Sequence, residues 1–192
     1  MAAARARFPA ALRVALREVL LLLGASVFLA MTARISVPLP FTPVPITGQT
    51  LGVLLTGALY GPRRGPLALL AYLAEGLGGA PVFAGGRAGL SVLLGPTGGY
   101  LVGFVFAAAL AGALAGSHRP AWLRLAAMLG ASALIYVPGV LWLAVVGGHG
   151  LGAAVAGGML PFLPGDVLKA IIAAGVTPAG ALLLQRSGVR PR

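Results

Sequence analysis

The chain has 192 residues, of which 59% are hydrophobic and only 9% charged, with 30 glycines and 15 prolines. A water-soluble domain carries roughly a quarter of its residues charged, so this composition excludes a soluble globular enzyme. Fourteen Lys and Arg stand against three acids, Glu18, Glu75 and Asp166, for a formal net charge of +11. The basic residues fall in short clusters between apolar runs, the pattern of membrane topology and not of nucleic-acid binding. With no cysteine and two histidines, there is no thiolate chemistry and no donor set for a metal.

In chain order, a basic tail over residues 1–17 precedes a first apolar segment at 18–33. It runs on into Met31, Thr32 and Arg34 with no persuasive cleavage site, so it is read as a retained helix and not a signal peptide. Further helices are expected at 49–61, 66–79, 99–116, 121–146 and 165–185, followed by a basic tail over 186–192. This is an all-α, single-domain integral membrane protein of six spans, since a span needs about 20 apolar residues. The second and third are short and are expected to be tilted or covered by neighbours.

The basic residues agree with this order. Arg5, Arg7, Arg13, Arg17, Arg63, Arg64, Arg119, Arg124, Arg186, Arg190 and Arg192 fall on one side of six spans; only Arg34 and Arg87 fall opposite, and Lys169 lies within the last span. Because basic residues are retained in the cytoplasm, both termini are expected there.

Two outer segments are too apolar for solvated loops and too broken for spans. Residues 35–47 carry prolines at 38, 40, 43 and 45, which forbid helix and favour an extended, polyproline-like path. Residues 80–99 are apolar but interrupted by Gly and Pro. Irregular backbone at membrane depth persists only where protein or a cavity satisfies it, so both segments are expected to fold over the outer helix ends as a lid on a pocket.

Asp166 and Lys169, at i and i+3, share one face at the start of the last span, where a charge costs about 2.5–3.5 kcal/mol. An Asp in a first helical turn is also a good cap, but a lysine near a positive helix end is not explained by capping, so a ligand-facing pair is the better reading. Thr47 and Gln49 offer neutral hydrogen bonds, either to a ligand with amide-like edges or as a helix cap. Arg34 and Arg87 suit headgroup contact or the guiding of an anionic solute, and Glu75 the interface. Phe83, Tyr100, Tyr136 and Trp142 could line an apolar pocket, but aromatics near span ends usually form the interfacial belt, and Phe83 is the favoured pocket residue. Ser26 and Ala30 form a small-xxx-small pair on the first helix. No Gly-rich phosphate loop is present, so ATP hydrolysis would require a partner.

Three stretches together, ISVPLPFTPVPITGQT (35–50), PVFAGGRAGLSVLLGPTGGYLVG (81–103) and PFLPGDVLK (161–169), resemble the BioY family, the biotin-specific substrate-binding subunits of energy-coupling-factor transporters. The resemblance implies six membrane helices that capture biotin from outside, in the membrane of a bacterial cell, without cofactor or enzymatic turnover. It implies binding roles for Asp166 and Lys169. It also implies a pocket-lining loop at Phe83–Gly86, where Ala84, Gly85 and Gly86 leave only Phe83 and backbone groups such as those of Gly85 and Gly86 to make contacts. It further implies a transmembrane coupling subunit and two ATP-binding subunits as partners, met by small residues of the first helix, here Ser26 and Ala30. A membrane transferase using Asp166 as base would lack every supporting group, and a channel would need a filter that the chain does not show.

Overall fold

The computed structural model describes residues 9–148 and 150–186; His149, Arg5, Arg7, Arg190 and Arg192 lie outside the described residues. The elements are α1 (Ala10–Arg34), β1 (Ser36–Leu39), β2 (Thr42–Thr47), α2 (Gln49–Leu77), a 3-10 turn (Ala84–Gly86), α3 (Leu90–Leu94), α4 (Gly98–Leu114), α5 (Ala121–Gly147), α6 (Gly150–Gly158) and α7 (Leu163–Arg186). Three stretches, Ala11–Arg34, Ala121–Gly147 and Gly150–Arg186, are long and apolar enough to cross a membrane, and Gly98–Leu114 is apolar but shorter. The outer faces of these helices are apolar as well: Val145, Leu183, Val137 and Ile171 are among many exposed aliphatic residues. That surface suits hydrocarbon, not water.

α1 starts at Ala10, well before residue 18, because Pro9 precedes a stretch dominated by Ala, Leu and Arg, which are good helix formers. The 10–17 stretch is therefore helix and not part of a tail. Prolines 38, 43 and 45 sit in a two-stranded antiparallel hairpin with Ser36 opposite Thr47 and Val37 opposite Ile46, so the fold is mostly helical and not wholly so. A two-stranded ribbon has only edges, and edges tolerate the missing proline N–H. α6 occupies a stretch whose Gly and Ala content reads as loop.

α2 is two antiparallel arms. Gly61 has φ 85° and ψ 178°, which a side chain would not permit, and Pro62 follows without an N–H. Beyond this break the chain reverses: a Cβ placed on Gly65 would lie 3.0 Å from Gly57 Cα, and Gln49 Nε2 donates to Tyr72 Oη at 2.9 Å. Residues 23 apart in one straight helix would be roughly 35 Å apart. The arms are the segments expected at 49–61 and 66–79, and α4 packs across both. A Cβ on Gly57 would collide with the Ala108 carbonyl oxygen, and one on Gly112 with the Gly61 and Pro62 backbone. The missing side chains let the helices touch backbone to backbone.

Ion pairs and hydrogen bonds fix the bundle's two ends. At one, Arg64 Nε donates to Glu18 Oε2 at 2.7 Å and Nη2 pairs with Oε1, joining α1 to the bend of α2. At the other, Arg34 Nη2 donates to the Pro81 carbonyl at 3.0 Å. Halfway along, Ser26 Oγ donates to Glu75 Oε2 at 2.5 Å. Ser26 is fully buried against α2 and Ala30 is half-buried on the same core, and Gly24, Val27, Phe28 and Met31 are exposed on α1.

α7 contains a repaired break. Pro178 cannot donate to the Ala174 carbonyl one turn earlier; Arg124 Nε of α5 donates to it at 3.1 Å, and Thr177 Oγ1 donates to the Ala173 carbonyl at 2.7 Å. Borrowed donors of this kind are what permit proline in a membrane helix. Arg124→Leu should therefore destabilise the detergent-solubilised protein by about 1–3 kcal/mol, the cost of a buried orphan carbonyl. Pro178→Ala restores the backbone N–H, so the same Arg124→Leu change should cost less than half as much in that background; equal costs in thermal unfolding would refute the assignment. Gly57→Val should lower the unfolding midpoint through overpacking of about 1–3 kcal/mol, whereas Gly130→Ala, with nothing within 4 Å of its added methyl, should leave it unchanged or slightly higher.

Candidate functional site

Elements at the Arg34 end of the bundle line one cavity. Its walls come from β2 (Val44, Pro45, Thr47), the first arm of α2 (Gln49, Thr50), the loop before and after the 3-10 turn (Phe83, Ala84, Arg87), α3–α4 (Val92, Thr97, Tyr100, Leu101, Phe104), α5 (Ile135, Tyr136) and α6–α7 (Gly158, Phe162, Asp166, Lys169).

The polar focus is Asp166. Its residue surface is only 7% exposed; Lys169 Nζ donates to Oδ1 at 2.9 Å and Tyr136 Oη donates to Oδ2 at 2.5 Å. The first two turns of α7 supply both charges on one face, and Asp166 in the first turn gains the favourable end of the helix dipole. Tyr136 is held in turn by an edge-to-face contact with Tyr100, with ring centroids 6.4 Å apart, and Tyr100 Oη donates to the Gly158 carbonyl at 2.8 Å. Gly139, on α5, has no Cβ because the Tyr100 ring lies there. Tyr100 and Tyr136 are therefore walls of the cavity and not an interfacial belt. Sequence reasoning missed Tyr136 as a partner of Asp166; thirty residues separate them, and only the packing of α5 on α7 brings them together.

On the facing wall, Phe83 meets Tyr72, which lies behind it, edge-to-face at 5.6 Å. Phe83 is only 1% exposed, seated over Gly76, where any Cβ would strike its ring. The loop closes on itself through Phe83 N–H to the Arg87 carbonyl at 3.0 Å and is tied to α2 through Gly89 N–H to the Gly76 carbonyl at 2.7 Å. Arg87 is exposed, donates through Nε to the Ala84 carbonyl at 3.2 Å, and lines both the cavity and a second, outer hollow under the β-hairpin. It is the cation at the mouth. Thr47 Oγ1 accepts from Gln49 N at 3.3 Å, so Thr47 both caps α2 and borders the cavity.

Asp166, Lys169, Phe83, Gln49 and Thr47 thus meet around one space. Gly85 and Gly86 do not join them. Gly85 (φ 67°) borders only the outer hollow, and Gly86 (φ 78°) backs against Arg34; their role is the left-handed turn that aims Phe83 and Arg87. Glu75 is occupied by Ser26 on the far side of α2, and Trp142 Nε1 donates to the Gly95 carbonyl at 2.9 Å, tying α5 to the α3–α4 turn.

The family model for BioY matches residues 4–186. The chain belongs to the BioY family. Among curated relatives, it is 41% identical over 165 residues to a biotin transporter BioY of Rhizobium etli, covering 81% of this chain and 88% of that protein. It is 38% identical over 156 residues to the biotin transporter BioY of Thermotoga maritima, covering 80% and 90%. Among solved structures, the S-component for biotin from an ECF-type ABC transporter superposes with a TM-score of 0.78 at 26% identity, covering 90% of this chain and 93% of that one. Family membership and the apolar helices make this BioY protein a multi-pass membrane protein, and its relatives are transporters and not enzymes.

The buried pair sets a stability test. Removing one member of a buried ion pair strands the other charge, at a cost of order 3 kcal/mol, whereas removing both is close to neutral. Lys169→Met alone should therefore lower the unfolding midpoint clearly, and Asp166→Asn with Lys169→Met should recover most of the loss. A double variant no better than the single one would show that the two charges do not compensate each other.

Proposed function

We propose that this chain is the biotin-binding membrane subunit of an energy-coupling-factor transporter. In this reading it takes up biotin from outside the bacterial cell, energised by a separate coupling subunit and two ATP-binding subunits. The observation that carries the reading is the cavity: apolar and aromatic walls, one deep carboxylate with its ammonium and phenol partners, and a guanidinium at the mouth. Biotin has matching parts in matching order. Its apolar bicycle fits the aromatic walls, and its ureido group has two N–H donors and one acceptor oxygen. Its carboxylate sits at the end of a valerate chain.

We place the ureido group at the deep end. Asp166 keeps lone pairs beyond those used by Tyr136 and Lys169 and accepts a ureido N–H, while a further Lys169 proton reaches the ureido oxygen. The valerate carboxylate then lies towards Arg87, where an anion is paired without being fully desolvated. The reverse orientation would set two carboxylates beside each other at Asp166, which Coulomb repulsion disfavours in a low-dielectric site. Six crossings, by α1, both arms of α2, α4, α5 and α7, put the cavity outside. Arg17, Arg63, Arg64 and Arg119 and both termini then lie in the cytoplasm, in accord with retention of basic residues there.

Calorimetric titration of biotin into the detergent-purified chain should show saturable binding near one per chain, weakened at least tenfold in Asp166→Asn and in Lys169→Ala. The isolated chain should return biotin unchanged and hydrolyse no ATP. Absence of heat from a folded sample would reject biotin as the ligand.

A further inference from the structure

Tyr72 lies outside the cavity wall, fully buried between the two arms of α2 and the 81–87 loop. Its single hydroxyl serves two neighbours: it donates to the Val82 carbonyl at 2.8 Å and accepts from Gln49 Nε2 at 2.9 Å. A phenol has one proton. Since the Val82 carbonyl can only accept, that proton is spent there, and whatever faces the phenol oxygen from α2 must be a donor. Gln49 therefore has to turn its NH2 towards Tyr72. The opposite flip would set the Gln49 carbonyl and the Val82 carbonyl in competition for one proton and orphan one of them. Side-chain amide orientation is normally assigned by network and not seen directly; here the network leaves one solution.

With its NH2 committed, Gln49 has its carbonyl oxygen Oε1 left. Gln49 lines the cavity, and among the described residues Oε1 neither receives a hydrogen bond nor counts among the buried side-chain atoms without a partner, which are Thr56 Oγ1 and Ser132 Oγ. We infer that Tyr72 is a positioning residue that fixes the hydrogen-bond polarity of the cavity, forcing Gln49 to present an acceptor to a ligand N–H. The cavity then holds two acceptors on different walls, Gln49 Oε1 and Asp166, matched to a ligand with two divergent N–H donors. This rests on the biotin reading above, in which those donors are the ureido pair. It adds that selectivity for the second N–H is set by a residue that never touches the ligand.

The Tyr72→Phe change is suited to the test because it keeps the ring against Phe83 and deletes only the hydroxyl. Gln49 is then free to flip. The measurement is the dissociation constant for biotin and for the two biotins methylated at one or the other ureido nitrogen, by calorimetry on the full chain. Wild type should prefer biotin at least tenfold over the analogue whose blocked nitrogen faces Gln49, the scale of leaving a site acceptor unpaired. Tyr72→Phe should reduce that ratio several-fold, towards the value in Gln49→Leu, and should leave the ratio unchanged when added to Gln49→Leu.

A purely structural role for Tyr72 would weaken all three ligands by one common factor, and that result, or no change in any of them, would overturn the inference while sparing the biotin reading. Failure of wild type to bind biotin would overturn both. Should Tyr72→Phe not fold, Gln49→Leu alone decides, because an unaltered ratio there removes the acceptor on which the inference depends.

Discussion

Hydrocarbon offers no hydrogen-bond partners, so every backbone group that leaves a regular helix must be satisfied from within the protein. That constraint governs this fold, because 15 prolines and 30 glycines break the chain repeatedly. Several breaks near the bundle have a named repair. At Pro178 the orphan carbonyl of Ala174 takes Arg124; beside it, the Thr177 hydroxyl turns back to Ala173. The 81–87 loop closes through Phe83 and Arg87, and the α3–α4 turn through Trp142. Outside the cavity, side-chain polar groups are used largely on broken backbone.

In the Asp166 cluster three polar groups face one another instead of repairing the chain. A buried ion pair is weak evidence for stability, since its desolvation cost can match or exceed its Coulombic gain, and apolar residues of similar volume often do as well. Its presence in a chain with only three acids is therefore best explained by what it meets from outside. The same logic separates it from Glu18 with Arg64 and Glu75 with Ser26, which bind helix to helix and do not line the cavity that holds Asp166.

Much of this was legible from residues alone. Gly61-Pro62 followed by Arg63-Arg64 marks a turn, and the reversal of α2 follows from it. Pro164-Gly165-Asp166 with Lys169 marks a helix start carrying charge for a reason. Part of what escaped reading depends on which way a helix rotates about its axis. The spacing of Ser26 and Ala30 does not show that Ser26 meets Glu75. Tyr136 looks like interfacial decoration until α5 turns it onto Asp166. Gly85 and Gly86 look like ligand contacts but shape a turn. The hairpin replaced an expected polyproline path because its strands are both edges, and α6 was hidden by a Gly and Ala content that carries no periodic signal.

The distribution of polarity inside the cavity also bears on release. Asp166 and Lys169 are on α7, Tyr136 is on α5, Gln49 is on α2 and Arg87 is on the loop that follows α2. A ligand that contacts all four is held only while they keep their relative positions, so a small relative displacement removes several contacts together. A site built on one helix would surrender its ligand only by losing contacts one at a time. Packing that is discrete and close, as at Gly57 with Ala108 and Gly139 with Tyr100, favours distinct arrangements over continuous deformation. Tight capture and complete release are thus compatible in one small bundle, provided that the free energy for the displacement comes from outside the chain.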